Sequence, residues 1–366
     1  MRRANVFTTL LGGRRWLLVA SLVLLAAAFT LQSLRAPSGR GVETAAPSSG
    51  QASASKDALT APLGNGRLSQ ALPDRAQGGL TGSGAPGPSR PTPSTIRPLA
   101  APTMPPVSDS RPAPTRKPGT PDPAPTSNHV VVVDGDSGAI LFQRHGYDPV
   151  APASLTKIMT AILGIEHGTL SDHVKTDVDA SSLSDSTVMG LEPWFDVTLE
   201  DLLYGLMLPS GNDAALAIAR YVAGSDEAFV QLMNQKAAWL GLRSTHFVNP
   251  HGLDAPDHYS SPYDMVVMAR YAMQYPEFRK LAAARSYDIS ESNISYTIYN
   301  LNPILNSYPG ADGVKIGYTD NAGRSIVATA VRNGHRVYVA FMRSEDGLVP
   351  ETTALLDWAF SSFTWP

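Results

Sequence analysis

Pro152-Ala153-Ser154-Leu155-Thr156-Lys157-Ile158-Met159-Thr160-Ala161-Ile162-Leu163 is the stretch from which the rest of the chain can be read. Leu155, Ile158, Met159, Ile162 and Leu163 recur at the spacing of a helix with one buried face, and Pro152 stands where such a helix begins. Ser154 is then at or near the helix N-terminus. Lys157 follows three residues later, which puts its amine and the serine hydroxyl on one face about one turn apart. An amine so placed can take the serine's proton if desolvation or a nearby positive charge keeps it neutral. The spacing is a common one, and on its own it reads equally well as a helix start with a solvated lysine.

The flanking sequence supplies a fold for this helix. Upstream, Val130 to Val133, the turn Asp134-Gly135-Asp136-Ser137-Gly138 and Ala139 to Phe142 predict a β-hairpin over 129–143. Downstream, helical periodicity recurs over 198–208, 212–223, 226–240, 262–274 and 277–284, starting at Thr198-Leu199-Glu200-Asp201 and Ser225-Asp226-Glu227 among other places. That middle block reads as essentially all helical. The period then changes to two over 313–318, 324–331 and 336–342, with Asn333-Gly334 as a two-residue hairpin turn, and a last helix runs from about Pro350 to Phe360. The expected fold class is α/β of the α+β kind: an antiparallel sheet flanked by helices on both faces, with a helical subdomain.

Two polar segments interrupt this pattern. Pro209-Ser210-Gly211-Asn212-Asp213 breaks two helices with a tight turn that offers a hydroxyl and an amide at one point. Taken alone it is an ordinary connector in which Asn212 caps a helix. Asp312-Gly313-Val314-Lys315-Ile316-Gly317-Tyr318-Thr319 places a lysine inside an apolar strand, followed by a glycine where a substrate backbone could approach. Taken alone it is a lysine on an exposed edge strand. His251 and His258, with Asp254 and Asp257 between them, match no standard metal-ligand spacing, so neither a metal nor any other cofactor is expected.

The N-terminal third differs in kind. Arg2, Arg3, Arg14 and Arg15 precede 19 residues without a charge, Trp16 to Leu34, about enough to cross a hydrocarbon core. The arginine asymmetry predicts residues 1–15 in the cytoplasm, 16–34 as a transmembrane signal anchor, and everything after it outside the membrane. Ala26 and Ala28 offer a cleavage site for a removable signal peptide, but the apolar run continues past them through Phe29 and Leu31. From 35 to 128 the chain is rich in Pro, Ser, Ala and Gly. Between Pro37 and Asn128 it has no Phe, Tyr or Trp and holds 18 of the 30 prolines. Such a segment reads as a disordered tether, leaving 129–366 as the folded domain. Residues 1–128 carry 14 basic and 5 acidic side chains, whereas 129–366 carry 15 and 27. An acidic domain without a basic stripe argues against nucleic acid as a partner. The absence of cysteine excludes disulfides, thiol catalysis and thiolate metal sites.

From about residue 128 to the end, the chain resembles the serine-type D-alanyl-D-alanine carboxypeptidases, the low-molecular-mass penicillin-binding proteins. Four blocks carry the likeness: Pro152 to Thr160, Leu202 to Ala215, Asn249-Pro250-His251-Gly252-Leu253-Asp254, and Gly317 to Gly323. The resemblance implies a β-lactamase/transpeptidase-like fold and an enzyme acting on peptidoglycan stem peptides ending in D-Ala-D-Ala, with β-lactams as inhibitors. It further implies Ser154 as the acylated nucleophile, Lys157 as its base, Ser210 as a proton relay and Asn212 as a donor to the substrate's peptide carbonyl. Lys315 would attract the terminal carboxylate, Gly317 would let the substrate backbone approach, and the N–H groups of Ser154 and Tyr318 would form the oxyanion hole.

One position departs from the family pattern: Ile316 stands where the family has a threonine that helps hold the carboxylate. The loss of one such hydrogen bond is expected to cost roughly 1.5–3 kcal/mol. Arg343 is the more plausible second carboxylate contact, and Thr319 could serve only if the strand slipped. Many relatives carry a β-rich C-terminal domain and a membrane-binding tail, whereas here Pro366 follows the terminal helix and the expected anchor is at the other end. Two alternatives remain open on sequence: a β-lactamase or esterase on the same scaffold, and a non-catalytic peptidoglycan-binding relative weakened by Ile316.

Overall fold

The computed structural model describes residues 105–109, 111–183, 186–291 and 294–366, and the expected anchor and most of the expected tether lie outside them. Among the described residues no helix is long and apolar enough to cross a membrane. In chain order the first elements are β1 (Thr115–Arg116), β2 (His129–Asp134), β3 (Ile140–Arg144), α1 (Lys157–His167), β4 (His173–Lys175) and β5 (Asp196–Thr198). The helices α2 (Leu199–Met207), α3 (Asn212–Ala223), α4 (Asp226–Trp239), α5 (Pro262–Ala272) and α6 (Pro276–Ala283) follow. Then come β6 (Ser286–Glu291), β7 (Ile294–Tyr299), α7 (Ile304–Ser307), β8 (Ala311–Thr319), β9 (Gly323–Arg332), β10 (His335–Ser344), α8 (Leu348–Ser362) and β11 (Phe363–Thr364).

The main sheet has five antiparallel strands in the order β3-β2-β10-β9-β8. All four valines of β2 are buried because both faces of the sheet are covered. Val131 and Val133 pack on the helical side with Leu155, Ile158 and Met159, and Val130 and Val132 pack under α8 with Leu355, Leu356 and Ala359. Each fully buried aliphatic side chain contributes roughly 1.5–3 kcal/mol. Helices on both faces of an antiparallel sheet are the architecture that the sequence predicts. The helix starts also follow local chemistry: Thr198 and Asp201 form a reciprocal capping box, and Ser225 and Ser261 cap α4 and α5.

One expectation needs correction, and one hairpin lies where the sequence reading assigns no element. The five helices expected between 198 and 284 are present, and past them β6 and β7 form a hairpin that lies on α2, where Tyr287 stacks on Tyr204 with ring centroids 3.7 Å apart. The strands do alternate, with Tyr287 and Ile289 on one and Ile294, Tyr296 and Ile298 on the other turned toward the core, but each is only six residues long and half-exposed. The folded domain, however, begins before His129. Residues 111–128 form a strap: β1 pairs with β11, the Trp358 indole donates to Pro121 O at 2.9 Å, and Arg116 lies over that ring. The buried carboxylate of Glu351 accepts from Ser127 N–H at 2.8 Å, Ser127 Oγ at 2.8 Å and Thr126 Oγ1 at 2.9 Å. Composition counts only the surface that a segment can bury against itself, whereas this strap is captured by groups that α8 supplies.

Candidate active site

Ser154 lies in a 3-10 turn, Ala153–Thr156, that runs directly into α1. Ala153 has φ 48°, a left-handed conformation that a non-glycine residue holds only when its surroundings impose it. Here Ala153 is fully buried, and Gly252 passes so close that a Cβ on it would overlap Ala153 O. Behind the turn, Thr156 Oγ1 accepts from His258 Nε2 at 2.9 Å, while His258 Nδ1 accepts from Val248 N–H at 2.9 Å. Burial pushes His258 down to about 4, so it stays neutral with its proton on Nε2. Both ring nitrogens are thereby engaged in holding the turn.

Lys157 is completely buried, and its Nζ has three partners: Ser154 Oγ at 2.9 Å, Asn212 Oδ1 at 2.6 Å and the backbone carbonyl of His251 at 2.6 Å. A neutral amine has two N–H bonds and one lone pair. The two carbonyl oxygens can only accept, so they take the two N–H bonds, and the lone pair is left facing the serine O–H. Burial pushes the Lys157 amine well below its ordinary value, and the charge of Lys315 pushes in the same direction, against a smaller opposing pull from Asp213. The geometry and the charge environment therefore agree on a lysine that can act as a base.

Ser210 sits at φ 64° in the α2–α3 turn, and Gly211 N–H donates to Gly205 O at 2.9 Å. Its hydroxyl is buried and has no hydrogen-bond partner among the described residues, which leaves it open to pass a proton. The turn is held from outside by the loop before β5. Thr187 Oγ1 donates to Ser210 O at 2.7 Å, and the Asp213 carboxylate accepts from the N–H groups of Met189, Gly190 and Leu191, each at 2.9 Å.

The edge strand β8 forms the other wall. Lys315 pairs across from Val327 and is buried, which lowers its amine to about 7. A Cβ at Gly317 would stand 2.9 Å from Ser154 N, so glycine is what lets β8 pass the nucleophile and bring the Tyr318 backbone beside it. Ile316 pairs across from Ile326 and packs on the cluster beneath α8, on the opposite sheet face from Lys315. Thr319 is committed elsewhere, donating to Asp254 Oδ1 at 2.9 Å. Arg343 is exposed on a bulge of β10, with β9 between it and β8. Among the described residues no hydrogen bond or ion pair ties it to the cluster around Lys157.

The structure thus brings Ser154, Lys157, Asn212 and the Gly317 backbone together, with Ser210 and Lys315 on the adjoining turn and strand. It also adds the carbonyl of His251, which sequence reading missed. A backbone acceptor has no residue signature. The signal that exists is indirect: Asn249 Oδ1 accepts from Gly252 N–H at 2.6 Å and shapes the turn that aims this carbonyl. Glu166, at the far end of α1, is held by Lys236 at 2.7 Å, by Tyr275 at 2.6 Å and by Tyr271, and so serves the core rather than the serine.

A serine at the mouth of a helix, a buried lysine whose amine faces its hydroxyl, and an edge strand passing beside it define a class, the serine acyl-transfer proteins that share the penicillin-binding fold. A profile of the Peptidase_S11 family, described as D-alanyl-D-alanine carboxypeptidase, matches residues 116–346, and the chain belongs to that family. It is 37% identical to the D-alanyl-D-alanine carboxypeptidase DacF of Bacillus subtilis over 243 residues, 64% of this chain and 62% of DacF. It is likewise 37% identical to DacB2 of Mycobacterium tuberculosis over 241 residues, 63% of this chain and 81% of DacB2. The chain therefore spans about three fifths of the length of the first of these relatives. Among solved structures it is similar to a D-alanyl-D-alanine carboxypeptidase of Mycobacterium tuberculosis, with a TM-score of 0.64 at 33% identity over 69% of this chain and 99% of that one. A Streptomyces DD-transpeptidase gives a TM-score of 0.62 at 30% identity over 66% of this chain and all of the other.

Proposed function

We propose that this protein is a serine D-alanyl-D-alanine carboxypeptidase that trims stem peptides of peptidoglycan. The observation that carries the proposal is the Lys157 amine, stripped of water and oriented by Asn212 and His251 so that its lone pair meets the Ser154 hydroxyl. Ser154 Oγ attacks the carbonyl of the penultimate D-alanine and its proton passes to Lys157. The oxyanion that forms takes hydrogen bonds from the N–H groups of Ser154 and Tyr318. Collapse expels the terminal D-alanine, whose amine receives the proton through Ser210. Water then hydrolyses the ester and returns Ser154. Lys315 draws the terminal carboxylate into place, and a β-lactam acylates Ser154 by the same attack.

We also place the domain outside the cytoplasmic membrane, on a single N-terminal span with a proline-rich tether. Support for this comes from the four arginines before Trp16 and the uncharged run to Leu34. Fractionation of cells with an epitope at the C-terminus, with and without external protease, tests that placement.

The test of the activity is release of D-alanine from a diacyl tripeptide ending in D-Ala-D-Ala by the full-length protein in detergent, beside Ser154→Ala. Release by the wild type and none by the variant is expected. Release by both sinks the nucleophile, and release by neither sinks the activity. Adding a D-amino acid as acceptor to the same assay measures how far transfer competes with hydrolysis.

A further inference from the structure

Two chain segments flank the nucleophile turn, and a hydrogen bond joins them beyond it. On one side Gly252 passes against the carbonyl of Ala153, and on the other Gly317 passes against the N–H of Ser154. Two residues past each glycine the segments meet: Thr319 Oγ1 donates to Asp254 Oδ1 at 2.9 Å, across 65 positions of sequence. The threonine hydroxyl is held for this contact. Its oxygen accepts from Ala322 N–H at 3.0 Å, in the turn into β9, which leaves its one proton for the carboxylate. Branching at Cβ restricts its rotation as well.

That bond is a clasp with two halves, and each half carries a group that Ser154 needs. The turn Asn249–Asp254 presents His251 O to Lys157 Nζ at 2.6 Å and Pro250 O to Thr160 Oγ1 at 2.6 Å, so it grips α1 at two points about one helical turn apart. Asn249 braces its interior, accepting from Gly252 N–H at 2.6 Å and donating to Leu253 O at 2.9 Å. The other half is β8, whose inward positions alternate as Lys315, Gly317 and Thr319. Among the described residues β8 is the outermost strand of the main sheet, paired with β9 alone. Its tip has no second strand to fix it, and Asp254 holds it from that side.

We infer that Asp254 and Thr319 are positioning residues for acyl transfer. Their hydrogen bond fixes the tip of β8 against the Asn249–Asp254 turn, and so sets the gap between the N–H groups of Ser154 and Tyr318 while the turn keeps its carbonyl on Lys157. The inference rests on reading Ser154 as the acylated nucleophile. Neither side chain touches the reacting atoms. The bond lies at the surface, with Asp254 exposed, and such bonds contribute little to global stability. Its effect is on geometry. The two oxyanion donors belong to different segments, Ser154 to the nucleophile turn and Tyr318 to the strand, one residue before Thr319. A loose strand tip would spread them as the tetrahedral oxyanion forms, a loss that falls on the transition state and spares the bound ground state.

The experiment follows acylation of the full-length protein by a fluorescent penicillin over a range of concentrations, which separates the affinity of the first complex from the limiting rate of acylation. Thr319→Val and Asp254→Ala are each expected to lower the limiting rate about tenfold, with the affinity of the first complex within about twofold of wild type. The double variant should be no slower than either single one, because both remove the same bond. Asp254→Asn keeps an acceptor oxygen without the charge and should recover most of the loss. Melting temperatures should stay within about two degrees of wild type, so that a slow variant is not an unfolded one. Losses that multiply in the double variant, an unchanged limiting rate in Thr319→Val, or Asp254→Asn as slow as Asp254→Ala each overturn the inference. Wild-type protein that takes no penicillin overturns the reading of Ser154 itself, and the role of the clasp with it.

Discussion

Lys157 donates to the side-chain oxygen of Asn212 across 2.6 Å, although 55 residues separate them in the chain. That bond and the one to His251 O remove the lysine's freedom to turn its lone pair away from Ser154. The base must therefore be a group that can lose a proton. Lys157→Arg keeps the charge and the donors but cannot deprotonate. The rate of acylation by a fluorescent penicillin should fall by about 10²–10⁴-fold. A rate within tenfold of wild type would remove Lys157 from the role of base.

Lys315 sets a pH limb. Burial holds its amine at about 7, so its charge is present below that value and is lost as pH rises through it. The limb belongs to the free enzyme, because a bound carboxylate favours the charged amine. We expect kcat/KM for a substrate with a terminal carboxylate to fall several-fold between pH 7 and 9 while kcat changes little. A substrate with an uncharged terminus should lack this limb, and a flat profile for both would contradict the assignment.

Ile316 packs under α8 beside Ile326, on the sheet face opposite Lys315. Ile316→Thr should therefore have two opposed effects. A hydroxyl at the strand edge is expected to improve kcat/KM for the D-Ala-D-Ala peptide by about tenfold, the worth of one hydrogen bond to a charged group. Loss of apolar packing should lower the melting temperature by a few degrees at the same time. No change in KM would show that carboxylate binding here is independent of this position.

His258 predicts acid sensitivity with a definite sign. Its folded value is about 4 against an ordinary 6.5, so the unfolded chain binds the proton more readily. The stability it contributes is complete above pH 6.5 and is lost as pH falls toward 4, on the order of 3 kcal/mol in all. His251, lowered to about 3 chiefly by burial, acts in the same direction. Denaturant melts of His258→Gln should show a shallower loss over that range. An unchanged slope would mean that other groups dominate acid unfolding.

Glu351 is buried and takes three hydrogen bonds from the strap. Removing residues 1–128 strips those donors from a buried carboxylate, which costs about 1–3 kcal/mol for the unsatisfied group before any loss of packing is counted. A chain beginning at His129 should melt at least several degrees below one beginning at Pro105, and Glu351→Gln should narrow the difference. Equal melting temperatures would make the strap an ornament.

Much of the molecule follows from local chemistry. The alternation in β8 to β10, the Asn333-Gly334 turn and the Ser154 to Lys157 spacing are short-range facts, visible because periodicity and turn preference act within a few residues. The β6–β7 hairpin and the strap escaped because their stability comes from partners outside themselves, Tyr204 on α2 for one and Trp358 and Glu351 on α8 for the other.

The sequence by itself determined which residues can do chemistry, a serine with a lysine one helical turn away, and it determined the glycine that must follow Lys315. The tertiary structure alone decided that this lysine is placed to act as a base. A lysine near a serine in water stays charged. Only burial, the charge of Lys315 arriving on β8 and two carbonyl acceptors from distant turns leave Lys157 with a lone pair that points at Ser154.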